Sequence, residues 1–132
     1  MTKIAAVKLL KTLIATVAVL IASSSVRAES ALQASVSCRE VVKGLRPDGG
    51  IAVSVPGQFC WGAFAMLQSL TRFKLSDDPN DLLLSICPGE KVTRSQMILV
   101  FLKYADNNPA KLDEEFPFVA VTAMQQAFPC KR

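Results

Sequence analysis

Residues 87–130, CPGEKVTRSQMILVFLKYADNNPAKLDEEFPFVAVTAMQQAFPC, hold two helix-like segments with a cysteine at either end. Two antiparallel helices joined by a short turn bring their outer ends together, which is where a disulfide can close them. The stretch therefore reads as a helical hairpin clasped by Cys87 and Cys130. Thr93 and Gln96 stand at capping-box spacing and mark the start of its first helix. The apolar run from Met97 to Leu102 covers nearly every helical face, which predicts a central helix with Arg94, Ser95, Lys103 and Asp106 at its wet ends. Asn107, Asn108 and Pro109 stop it. In the second helix Pro117 lacks an N–H and is tolerated only in a first turn, so the regular part is predicted over residues 115–128. Asp113, Glu114 and Glu115 then lie at the positive end of the helix dipole. Phe118, Val121, Met124 and Phe128 form the expected inward stripe, and Ala120, Ala123 and Ala127 allow close helix approach.

Upstream of the hairpin, Leu32, Val36, Cys38, Val41, Val42 and Leu45 recur at three- and four-residue spacings and predict a helix over residues 30–45. Gly44 and the RPDGG run end it. Residues 46–57 are rich in Gly and Pro and read as a loop, in which Ile51, Val53 and Val55 suit a brief extended piece. A further helix is expected over residues 59–74, with Phe59, Ala63, Met66, Leu70 and Phe73 along one face and Cys60, Phe64 and Leu67 widening it. Trp61, Gln68 and Arg72 are left for the other side. Residues 76–81, SDDPND, break the pattern, and Leu82 to Ile86 is apolar again, which suits a segment folded back onto the core.

The first 28 residues have the organisation of a secretory signal. Lys3, Lys8 and Lys11 form a positive region, residues 12–22 an apolar one, and SSSVRA ends in small residues, so cleavage is expected after Ala28. An apolar run of about 11 residues is too short for a bilayer, which needs roughly 20, so no stable membrane anchor is expected. Four of the 15 basic residues, Lys3, Lys8, Lys11 and Arg27, leave with this segment, and the remaining chain carries 11 basic and 11 acidic residues. A balanced surface with no basic run gives no ground for nucleic-acid binding. Residues 29–132 form one exported, disulfide-permissive domain, expected in the periplasm.

All four cysteines, Cys38, Cys60, Cys87 and Cys130, lie in that domain. Three pairings are open on sequence alone. The helix order favours Cys38 with Cys60 across the intervening loop, and Cys87 with Cys130 across the hairpin. The fold class is thus all-α, a small disulfide-stapled four-helix domain with a C-terminal helical hairpin. The chain has no histidine, which removes the usual general base and the commonest metal ligand. No CxxC pair points to zinc or to a thioredoxin-like site. Neither an enzyme nor a cofactor is expected, and the residues describe an exported interaction module.

The order Cys38, Phe59-Cys60 and Gly62, Cys87-Pro88, Val92-Thr93, Gln96, Lys103-Tyr104, Asn108-Pro109, Leu112 and Ala127-Phe128-Pro129-Cys130 resembles the Rap/Tai immunity proteins of type VI secretion. The resemblance covers most of residues 29–132 and is densest over the hairpin. It implies a periplasmic protein that binds and occludes a peptidoglycan amidase toxin, with a loop filling the toxin's cleft. The candidate for that loop is the acidic turn with Asp77, Asp78, Asn80 and Asp81. The chain departs from the family pattern at Ala63, Phe64, Met66 and Asp113, which bears on the choice of toxin. A general periplasmic protein-binding or stress-protection module on the same scaffold is the second reading, and a homodimer stays open under either.

Overall fold

The computed structural model describes residues 28–47, 50–78 and 81–130; the signal segment expected over residues 1–28 lies almost wholly outside them. Four α-helices follow in order: α1 (Ala31–Lys43), α2 (Val55–Leu70), α3 (Arg94–Asn107) and α4 (Phe116–Ala127), with one 3-10 turn, Pro109–Lys111, between the last two. Among the described residues the only extended pairings are isolated antiparallel bridges, and no helix is long and apolar enough to cross a membrane. The fold class is the all-α one expected.

Local chemistry accounts for the helix ends. Thr93 and Gln96 form the expected capping box, the Gln96 N–H donating to Thr93 Oγ1 and the Thr93 N–H to Gln96 Oε1. Ser30 and Gln33 make a second one at the start of α1. The α2 helix begins earlier than expected, because Ser54 accepts from the Gly57 N–H and Pro56 sits in the first turn, where its missing N–H costs nothing. Residues 55–57, read from composition as loop, are therefore helical. Pro117 lies in the first turn of α4, as its chemistry requires.

On either side of the PDGG run the chain is drawn together by the antiparallel Leu45·Ile51 bridge and by the Ala52 N–H donating to the Gly44 carbonyl. At Gly44 a Cβ would collide with the carbonyl oxygen of Ala52, so the glycine is needed for close approach.

The core gathers the buried faces of all four helices. Ala31, Ala34, Ser35, Cys38 and Val41 come from α1, and Gly57, Cys60, Phe64 and Leu67 from α2. From α3 come Met97, Ile98, Phe101, Leu102 and Ala105, and from α4 Phe116, Val119, Ala120, Ala123 and Met124. Phe64, Phe101 and Phe116 meet at centroid distances of 5.3 to 5.9 Å, edge-on or tilted, which ties α2, α3 and α4 at one point.

Three expected faces are corrected. In α1, Leu32 and Val36 are exposed and the small residues between them are buried. In α2, Phe59 and Met66 of the expected stripe are exposed, Phe73 lies beyond the helix end at Leu70, and the set expected only to widen the stripe forms the core contact. The cause is the Cys38–Cys60 disulfide, which fixes the rotation of α2 by turning Cys60 onto α1. Gly57, Cys60, Phe64, Leu67 and Thr71 then follow inward at helical spacing. In α4, Phe118 and Ala127 are exposed, and Val119, Ala120 and Ala123 are buried in the core instead.

The second disulfide joins Cys87 to Cys130, so both pairs match the helix order. Outside the bundle, Gly62 in the middle of α2 is exposed, and a Cβ there would meet nothing within 4 Å. Gly62→Ala should therefore stabilise the domain by about 0.5–1 kcal/mol through lower unfolded-state entropy and better helix propensity. A rise in the thermal midpoint with unchanged helical signal checks this; a fall would mean that this face is covered.

Candidate functional site

The end of α2 decides how the acidic turn is presented. Thr71 caps the helix with its side chain buried, Oγ1 donating to the Gln68 carbonyl. The Arg72 and Phe73 N–H groups bond back to the Ser69 and Leu70 carbonyls, and the chain then leaves the helix. The Leu75 N–H donates to the Asp81 carbonyl at 2.8 Å and the Leu83 N–H to the Phe73 carbonyl at 2.8 Å. These bonds flank the antiparallel pair Lys74·Leu82 and make a short two-stranded ribbon. At its tip the Asp78 N–H donates to Ser76 Oγ, and the Asp81 N–H to the Asp78 carbonyl.

Side chains alternate across such a ribbon, so Phe73, Leu75, Asp81 and Leu83 share one face and Lys74 and Leu82 the other. Burial agrees: Leu82 is half-buried, whereas Phe73, Leu75 and Leu83 are exposed at 62 %, 64 % and 44 %. Asp77, Asp78 and Asp81 are exposed at or beside the tip. Asn80, the fourth residue of the expected binding turn, lies outside the described residues. The structure thus brings three carboxylates to one projecting tip and places an apolar face directly beneath them.

That apolar face is absent from the sequence reading. Its signal was present: Phe73-x-Leu75, a turn cluster and then Leu82-Leu83 is the alternation of a hairpin. Phe73 had been assigned to a helical stripe instead. Contiguous exposed apolar residues beside a polar rim mark an interaction surface.

The base of the ribbon is anchored on the hairpin's clasp. Gln125 Nε2 donates to the Leu84 carbonyl, the Cys87 N–H to the Phe128 carbonyl, and Ile86, fully buried, bridges Pro129. Between α2 and this segment opens a cleft of about 410 Å³ lined by Gln68, Thr71, Arg72, Leu82, Cys87 and Met97, among others. Trp61, on the other side of α2, carries the Arg94 guanidinium 4.4 Å from its ring centroid. Arg94 Nε is buried without a hydrogen-bond partner, so the ring face is the compensating contact and joins the start of α3 to α2.

Asp77, Asp78 and Asp81 stand on an open turn, exposed to solvent. Among the described residues no group of His, Cys, Asp or Glu could hold a metal ion. Compared with known proteins, residues 33–130 match a family model described as Rap1a immunity proteins, a span holding all four cysteines and the ribbon. No curated protein and no solved structure matches the chain.

Proposed function

As the chain belongs to the Rap1a immunity protein family, we propose that it protects its producer by binding and occluding a secreted peptidoglycan amidase in the periplasm, after export and cleavage behind Ala28. The observation that carries the reading is the ribbon at residues 73–83. A projecting element with an apolar face and an acidic tip suits insertion into a cleft that must admit a peptide substrate. Asp77, Asp78 and Asp81 form its rim, while Phe73, Leu75 and Leu83 supply the area that a tight complex desolvates; Asn80 is proposed as a further contact from its place in the sequence alone.

Occlusion needs no chemistry from the inhibitor. It needs a shape that holds its form when bound, and the two disulfides and the buried Ile86 anchor support one. Delivery to the periplasm is consistent with both disulfides, which persist in oxidising compartments.

The test is inhibition and protection together. The oxidised domain, residues 29–132, should retain an amidase from a mixture of secreted effectors, block its cleavage of purified peptidoglycan, and protect cells into whose periplasm that enzyme is directed. A chain lacking residues 2–28 should fail to protect although it binds in vitro. Should no cell-wall hydrolase be retained and no protection be seen, the amidase reading falls, and the general periplasmic binding module takes its place.

A further inference from the structure

We propose that the Cys87–Cys130 disulfide is a site of reversible reduction by a dithiol, and that opening it releases the ribbon. The two disulfides differ in access. Cys38 and Cys60 are both 0 % exposed within the core, whereas Cys87 and Cys130 are half-buried and Cys87 lines the open cleft beside α2. Gly89, on the lip of that cleft, leaves the approach clear, since even a Cβ there would meet nothing within 4 Å. Thiol–disulfide exchange needs a thiolate to reach a sulfur, so the half-buried pair, with Cys87 on the cleft, reacts before the buried one.

The reaction is a balanced two-electron exchange. One thiolate of the dithiol attacks a sulfur of the Cys87–Cys130 bond, the other cysteine leaves as a thiolate and takes up a proton, and a mixed disulfide forms. The second thiol of the reagent resolves it. The products are two cysteine thiols and the oxidised, cyclic form of the dithiol.

The structural consequence follows from where the bond lies. Cys87 and Ile86 are paired with Phe128 and Pro129 beyond the end of α4, and the disulfide closes that pairing. Between this clasp and the ribbon's last hydrogen bond, at Leu83, stand only Leu84 and Ser85. Ser85 has φ of 50°, a left-handed backbone that a residue with a Cβ adopts only when its neighbours impose it. The clasp is one of those neighbours and the ribbon is the other. With the disulfide open, Ser85 relaxes to negative φ, Leu83 shifts against Phe73, and the ribbon loses its register. The buried Cys38–Cys60 pair keeps α1 and α2 together throughout.

The effect on partner binding rests on the reading of the ribbon as the toxin contact, but the reduction and the loosening do not. The oxidised chain is treated with graded dithiothreitol, alkylated and mapped. Cys87 and Cys130 should become labelled at a reductant concentration at least about tenfold below that needed for Cys38 and Cys60. In the singly reduced form the Leu75 and Leu83 amides should lose their exchange protection while those of α1 and α2 keep theirs. The inference is overturned if both disulfides open together, or if Leu75 and Leu83 remain protected after Cys87 and Cys130 are reduced. The pair Cys87→Ser and Cys130→Ser should show the same loosening without reductant; if that chain does not fold, the graded reduction still decides. A chain that loosens as described but binds no amidase would count against the amidase reading alone.

Discussion

Phe101→Ala should remove a large share of the domain's stability. Its side chain is fully buried at the meeting point of three helices, edge-on to Phe116 at 5.3 Å and tilted against Phe64 at 5.8 Å. Truncation loses the transfer free energy of the ring and leaves a cavity that Phe64 and Phe116, held by α2 and α4, can fill only in part. Such changes cost about 3–5 kcal/mol, against a net stability of about 5–15 kcal/mol for a typical domain. Urea unfolding with both disulfides intact should show a midpoint lowered by a third or more with an unchanged slope. The matched substitution is Phe118→Ala in α4: Phe118 is 67 % exposed and its loss should stay within about 0.5 kcal/mol. Equal effects at the two positions would mean that α4 is rotated from the face described.

The contrast between buried Phe101 and exposed Phe118 also marks how far the sequence could be read. The α3 start was legible because Thr93 and Gln96 state it chemically, and the disulfide pairing because helix order leaves one convenient arrangement. The rotation of α2 was not. Its apolar content supports two stripes at helical spacing, one through Phe59 and Met66 and one through Cys60 and Phe64, and periodicity alone ranks the bulkier first. A long-range bond from Cys60 to Cys38 decides between them. In α4 the large residues again drew the reading outward, whereas the bundle selects Ala120 and Ala123 because small side chains let α3 approach. At the candidate site the acidic turn was legible as a turn, since Ser, Asp and Pro cluster there. The apolar face beneath it depends on cross-strand register; the hairpin pattern of Phe73-x-Leu75 and Leu82-Leu83 allows it, and the Leu75 to Asp81 and Leu83 to Phe73 bonds fix it.

That register separates what the two halves of the ribbon should contribute to binding. Phe73→Ala with Leu75→Ala should weaken the complex with the cognate amidase by about a hundredfold or more, since two desolvated anchors of this size each carry about 1–2 kcal/mol or more at an interface. The loss should lie in dissociation, because removing apolar contact leaves the encounter unchanged. Both side chains are exposed, so the free protein's thermal midpoint should hardly move. Neutralising the tip by Asp77→Asn, Asp78→Asn and Asp81→Asn should act differently. Rim charges steer approach and are screened by salt, so association should slow by about tenfold at low ionic strength and the difference should shrink as salt is raised. Surface plasmon resonance at two salt concentrations separates the two outcomes. If the aspartate changes alter dissociation and the apolar ones do nothing, the carboxylates are buried against the toxin and the tip is the anchor; if neither set matters, the ribbon is not the contact and the partner binds elsewhere on the bundle.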